Sequence, residues 1–202
     1  MNGIIMASMM EALPFINGLN LVLDKKSPFT VYKNDDYCLI ISGIGKVNAA
    51  LATACLILEY DVNSIFNIGA AGALVEKMAI GDIRHIDAVY EHDRPSLDGS
   101  AGKKIFPQVL NGHLTASLAT GDVPVTSAEG RRILSSIAEL VDMEGAAVVR
   151  ACRRYKKDVF LFKIVSDTAA TNDGDIIGNI KKTSLLLCDY FVNKVLKGDV
   201  SK

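Results

Sequence analysis

Residues 37–73 read YCLIISGIGKVNAALATACLILEYDVNSIFNIGAAGA. The run 37–42 is apolar, as a buried strand requires, and Gly43-Ile44-Gly45 ends it. Over 46–60, Val47, Leu51, Ala54 and Leu58 recur at helical spacing and predict one apolar face of a helix. The next apolar run, 64–68, predicts a second strand. The small residues Gly69-Ala70-Ala71-Gly72-Ala73 follow it and read as a tight turn. Strand, helix, strand in succession is the unit from which parallel sheets are built.

The same alternation extends outward from this unit. Strands are predicted at 3–7, 82–90, 114–120, 140–142 and 159–165. Helices are predicted at 9–16, 145–154 and 176–196, and one opens at a capping box formed by Thr126 and Glu129 and runs to about 138. The charged stretch 91–104, rich in Gly, Pro and Ser, reads as a loop. The expected fold is a three-layer α/β/α sandwich with a central mixed, largely parallel sheet, formed as one domain over 1–202. In such folds ligands sit beyond the carboxyl ends of the strands. That rule singles out 8–11, 43–45, 69–72, 121–125, 142–144 and 166–167.

Composition removes several function classes. The chain has 202 residues, half of them hydrophobic, and a formal net charge of −1, which excludes disorder and nucleic-acid binding by bulk positive charge. No apolar run reaches membrane-span length, and the first residues lack the pattern of a signal peptide, so a cytoplasmic protein is expected. Cys38, Cys55, Cys152 and Cys188 are scattered among apolar residues and read as free thiols. His85, His92 and His113 have no ligand spacing, so no metal site is expected. Gly43-Ile44-Gly45 lacks a third glycine at dinucleotide spacing, no Walker lysine follows it, and no serine or cysteine lies in a nucleophile elbow. The cluster Arg150, Arg153, Arg154, Lys156 and Lys157 reads as a solvated helix face and its exit. What remains are three carboxylates at predicted strand exits, Glu11, Glu144 and Asp167. A carboxyl half-buried at a sheet edge is suited to proton transfer near neutral pH.

Five stretches resemble the nucleoside phosphorylase/nucleosidase superfamily, most closely its methylthioadenosine/S-adenosylhomocysteine nucleosidase branch. They are GIIMASMME (3–11), SGIGKVNAA (42–50), NIGAAGA (67–73), VDMEGA (141–146) and KIVSD (163–167), in family order. The resemblance implies that Glu11 deprotonates an attacking water. It implies that Glu144 binds the ribose hydroxyls with Met143 packed on the sugar, and that Asp167, beside Ser166, protonates the leaving purine. Ala70, Gly72 and Val125 fall at substrate-binding positions. The implied reaction is hydrolysis of the N-glycosidic bond of a purine nucleoside or of a 5′-modified relative, with no cofactor, by a homodimer.

Departures from the family pattern bear on the nucleophile and the base pocket. Ala70 stands where phosphate-using relatives carry a serine, which favours water over phosphate. Lys163 replaces an arginine, keeping charge but losing the planar fork. Pro124 stands where a base-stacking phenylalanine is usual. Two other readings are weighed: a phosphorylase, with Arg84 or Arg94 supplying the anion site, and a catalytically weak nucleoside-binding protein.

Overall fold

The computed structural model describes residues 1–94, 104–171 and 175–197. Its strands are β1 (Asn2–Met6), β2 (Val22–Lys25), β3 (Thr30–Lys33), β4 (Tyr37–Ile41), β5 (Ser64–Ala73), β6 (Ile83–Glu91), β7 (Thr115–Thr120), β8 (Leu140–Asp142) and β9 (Asp158–Asp167). Its helices are α1 (Met9–Gly18), α2 (Lys46–Tyr60), α3 (Ala128–Leu134), α4 (Gly145–Tyr155) and α5 (Ile176–Tyr190), the last continued by π-helical turns over Phe191–Leu196.

The strands form one mixed sheet in the order β2-β3-β4-β1-β5-β8-β7-β6-β9, and β9 pairs again with β5. Five strands therefore close into a ring, with β1, β4, β3 and β2 as an open arm. The mixed α/β architecture is as expected, but the open central layer of a three-layer sandwich is not found. The reason is the length of β5. One of its edges runs parallel to β9 from Ser64↔Asp158 to Gly72↔Asp167. The other edge pairs first with β1, Gly3↔Ile65 to Ile5↔Asn67, and then antiparallel with β8 at Gly72↔Val141. Residues 69–73 are therefore strand, not the predicted turn. Their small side chains leave room for the Glu11, Asp167 and Arg131 side chains, which approach Gly69 and Gly72 closely.

Helices cover the sheet on both sides. Alternate residues of β1 supply two cores: Ile4 and Met6 pack with Phe15, Leu187 and Phe191, whereas Ile5 packs with Ala52, Leu56 and Ala146. Burial on both faces explains why the strands read as continuous rather than alternating apolar runs. In α2 the apolar face read from the sequence is not the one that packs within the chain. Ala49, Ala52, Thr53, Leu56 and Ile57 are buried, and Val47, Leu51 and Leu58 are 57–69% exposed. The helix is apolar on two faces, and the smaller side chains of one allow its close approach to β1 and β4. The helix α3 begins one residue later than its predicted capping box. Ser127 is the N-cap, accepting from the Gly130 N–H, and Glu129 pairs instead with Arg132. The hairpin β2–β3 is an addition to the predicted elements. Its polar sequence is held by Lys33–Asp24 and Lys25–Glu59 pairs. Most of the predicted loop 91–104 lies outside the described residues.

His85 joins β6 to the core. Its ring stacks on Phe162 at 4.2 Å between centroids, Nδ1 lies 2.8 Å from the Leu161 carbonyl, and Nε2 accepts the Leu110 N–H at 2.9 Å. This assigns the neutral ring with its proton on Nδ1. Burial lowers its pKa below the ordinary 6.5. A depressed histidine contributes stability that is complete above 6.5 and lost as pH falls below it. Thermal unfolding should show Tm falling as the pH is lowered below 6.5. In a His85→Phe protein Tm should be lower at pH 7.5 but less dependent on pH across that range.

Candidate active site

The ends of β1, β5, β8 and β9 converge on a cavity of about 230 Å³. Every site residue singled out in the sequence lines it: Glu11, Ala70 and Gly72; Val125; Met143 and Glu144; Ser166 and Asp167. Most of the remaining lining is aliphatic, including Ile44, Val123, Pro124, Ile176 and Ile180. Among the described residues the charged side chains lining it are all carboxyls, Asp142 being the fourth.

Glu11 is placed by the start of α1. Ser8 is the N-cap; its hydroxyl accepts the Glu11 N–H at 3.3 Å and donates to Glu11 Oε2 at 2.7 Å. The other oxygen, Oε1, accepts the Ala70 N–H at 2.9 Å. A Cβ on Gly69 would lie 2.9 Å from Oε1, so this glycine is what lets the carboxyl reach the strand. Glu144 follows β8. Its Oε1 accepts the Gly45 N–H at 2.9 Å, which ties it to the glycine turn before α2. Gly45 has φ +98°, a conformation that favours glycine. Burial first, and the Asp142 carboxylate second, push the Glu144 carboxyl up to about 7, against the pull of Lys163 and the Gly45 N–H.

Lys163 lies fully buried behind these groups, in the middle of β9. Its Nζ is 2.9 Å from Asp142 Oδ2. Burial acts to remove its proton, but Asp142, Glu144 and Glu11 together hold its pKa above the ordinary lysine value. Asp142 is committed on every side: to Lys163, to the Thr120 hydroxyl at 2.6 Å, and to the Gly145 N–H at 2.9 Å.

Asp167 stands at the end of β9, where the register with β5 slips between Ala71↔Val165 and Gly72↔Asp167. The slip leaves Ser166 as the extra residue of a β-bulge, a device that re-aims side chains at strand ends. The Ser166 hydroxyl donates to Asp167 Oδ1 at 2.6 Å. Arg131 of α3 ion-pairs with Asp167 Oδ2, and its other terminal nitrogen donates to the Ala73 carbonyl at 2.9 Å. A Cβ on Gly72 would lie 2.7 Å from Asp167 Oδ2 and 2.9 Å from Arg131 Nη1. The sequence reading missed Arg131: two adjacent arginines open onto opposite environments, and nothing in the periodicity separates the buried one from Arg132. Lys163 carried a signal, a cation inside an apolar strand run.

The arrangement sets Glu11 and Glu144 near the buried Lys163, and Asp167 against the buried Arg131. Among the described residues no group of three His, Cys, Asp or Glu side chains is placed to hold a metal ion. Nor is any helix there long and apolar enough to cross a membrane.

Comparison with known proteins gives one consistent result. The family model described as the phosphorylase superfamily matches residues 26–120 and 113–184. The 5′-methylthioadenosine/S-adenosylhomocysteine nucleosidase of Staphylococcus epidermidis is 29% identical over 181 aligned residues, covering 76% of this chain and 79% of that one. The crystal structure of the Helicobacter pylori enzyme of the same name, with butyl-thio-DADMe-Immucillin-A, superposes with a TM-score of 0.86 at 23% identity, covering 97% of each chain. Futalosine hydrolase of Helicobacter pylori superposes at 0.85 and 22% identity, again over 97% of each chain. The two structural likenesses establish the fold.

The charge arrangement makes a direct prediction about Glu144. Carbon-detected NMR of the free protein should place its titration midpoint near pH 7. Asp142→Asn removes a neighbouring negative charge and frees Lys163 to act on Glu144, so the midpoint should move down.

Proposed function

The chain belongs to the phosphorylase superfamily, and on that footing we propose that it is a nucleosidase hydrolysing the N-glycosidic bond of a purine-type nucleoside. The observation that carries this reading is the convergence of Glu11, Glu144 and Asp167 on one largely aliphatic cavity. Breaking the bond between ribose and base builds positive charge on the sugar and negative charge on the base. Carboxylates around the sugar stabilise the first, and an acid at the base neutralises the second.

In the proposed reaction Glu11 takes a proton from water as the water oxygen bonds to C1′ of the ribose. The C1′–N bond breaks, and the base leaves with a proton from Asp167. The products are the free base and a ribose with a hydroxyl at C1′. Glu144 accepts the ribose hydroxyls, Met143 packs on the sugar, and Val125 with its neighbours walls the base. The relatives' names support a 5′-modified purine nucleoside as the substrate class.

Water is the proposed nucleophile because the cavity is built against an anion. Its charged lining groups among the described residues are carboxyls, and Ala70 offers no hydroxyl. The two arginines considered for a phosphate site are engaged elsewhere. Arg84 pairs with Asp82, and Arg94 pairs with Glu91 outside this cavity. A weak binding protein would have no need for carboxyls on both sides of the sugar.

The exposed stripe Val47, Leu51 and Leu58 on α2 supports a homodimer that buries this face. Sedimentation at micromolar concentration should give a dimer, and Leu51→Asp with Leu58→Asp should give a folded monomer.

Incubation with a nucleoside panel should release free ribose-type sugar and base, at a rate indifferent to phosphate. Formation of a sugar 1-phosphate would instead establish phosphorolysis. Asp167→Asn keeps the shape but removes the transferable proton. Its kcat should fall by on the order of 10²–10⁴-fold with KM much less changed.

A further inference from the structure

A single buried cation, Arg131, joins three parts of the site wall. It sits on α3, just after the segment Val123–Pro124–Val125–Thr126 that lines the cavity, and it is 3% exposed. One terminal nitrogen is fixed on the Ala73 carbonyl at the end of β5, and the other on Asp167 Oδ2 at the end of β9. Arg131 does not itself line the cavity. Among the described residues its Nε has no acceptor, so the side chain is held in place with one buried donor unmet. Such an arrangement costs stability, and a lysine or an apolar residue would avoid the unmet donor. The two nitrogens in use have a geometry that only a guanidinium supplies.

We infer that Arg131 is a positioning residue for the leaving-group half of the reaction, an inference that rests on the hydrolytic reading above. With Oδ2 held by Arg131 and Oδ1 by Ser166, the plane of the Asp167 carboxyl is fixed relative to the cavity. Asp167, a carboxylate while both its oxygens accept, takes a proton from solvent on Oδ1, where the Ser166 hydroxyl can turn to accept it; passing that proton to the base nitrogen as the C1′–N bond breaks restores the carboxylate. Arg131 is the cation already in contact with that carboxylate, so the charge formed on Asp167 is met without any rearrangement. Solvent then returns the proton before the next turnover. Gly72 is part of the same device, since a Cβ there would crowd both Asp167 Oδ2 and Arg131 Nη1.

The test separates this role from a structural one by the leaving group. Purine nucleosides need their base protonated, whereas 4-nitrophenyl riboside releases a stable anion and does not. Arg131→Met should lower kcat for the purine nucleoside on the order of 10²-fold, with KM changed far less. Hydrolysis of 4-nitrophenyl riboside should stay within a few-fold of wild type. In an Asp167→Asn background the same substitution should have little further effect, because the two residues act as one unit. If the Arg131→Met protein does not fold, Arg131→Lys carries the test. It keeps the charge but not both contacts, and should show the same leaving-group split in weaker form. Equal slowing of both substrates, or additivity with Asp167→Asn, would overturn the assignment of Arg131. A wild-type protein that hydrolyses no nucleoside would instead overturn the hydrolytic reading, before any variant is compared.

Discussion

Six ionisable side chains meet where β5 and β9 end: the carboxyls of Glu11, Asp142, Glu144 and Asp167, and the cations of Lys163 and Arg131. All six are buried. A buried charge left unpaired costs several kcal/mol, so the architecture around it is constrained by how these groups are balanced. Lys163 offsets Asp142 directly and faces Glu144 and Glu11 through the field. Arg131 offsets Asp167. Four acids against two bases leave an excess of negative charge, and Glu144, with its carboxyl pushed up to about 7, relieves part of it by holding a proton. Backbone amides absorb more: Ala70, Gly45 and Gly145 each donate to one of the carboxyls.

The closed ring of strands makes this balance geometrically available. Because β5 pairs along one edge with β9 and passes on the other from β1 to β8, residues from four strand ends fall within reach of one another. A flat parallel sheet would line its strand ends in a row and set Glu11 and Asp167 apart. The register slip at Ser166 then places Asp167 opposite Gly72. Small residues at 69–72 are the price of that closeness, since any Cβ at Gly69 or Gly72 meets a functional side chain.

The sequence revealed the carboxyls more readily than the cations. Glu11, Glu144 and Asp167 each follow an apolar strand run, where a charged residue marks a strand exit, and all three line the cavity. Arg131 lies in a short polar helix beside Arg132, and neither strand nor helix periodicity separates a buried member of such a pair from an exposed one. Ring closure was hidden for a related reason. Residues 69–73 are poor strand formers by composition, and the need for small side chains overrode that preference. In α2, two apolar faces competed, and the larger side chains marked the outer one. Hydrophobicity reports that a face is to be buried, not whether the burial happens within a chain or between chains.

The placement of the two cations gives the cavity a direction. Lys163 lies among Asp142, Glu144 and Glu11, whose negative charge exceeds its own, so that end is anionic overall. At the other end Arg131 matches Asp167 one to one. Heterolysis of an N-glycosidic bond separates charge in this sense, positive on the sugar and negative on the base. In the proposed reaction the field at the sugar end favours the oxocarbenium-like state, and at the base end the electron pair left on the base nitrogen is captured by the proton that Asp167 carries, with Arg131 facing the carboxylate that results. The same field opposes an incoming phosphate at C1′, which would bring negative charge to a wall of carboxyls. Water brings none, and in the proposed reaction it needs only a base within reach, the role assigned above to Glu11 at the start of α1.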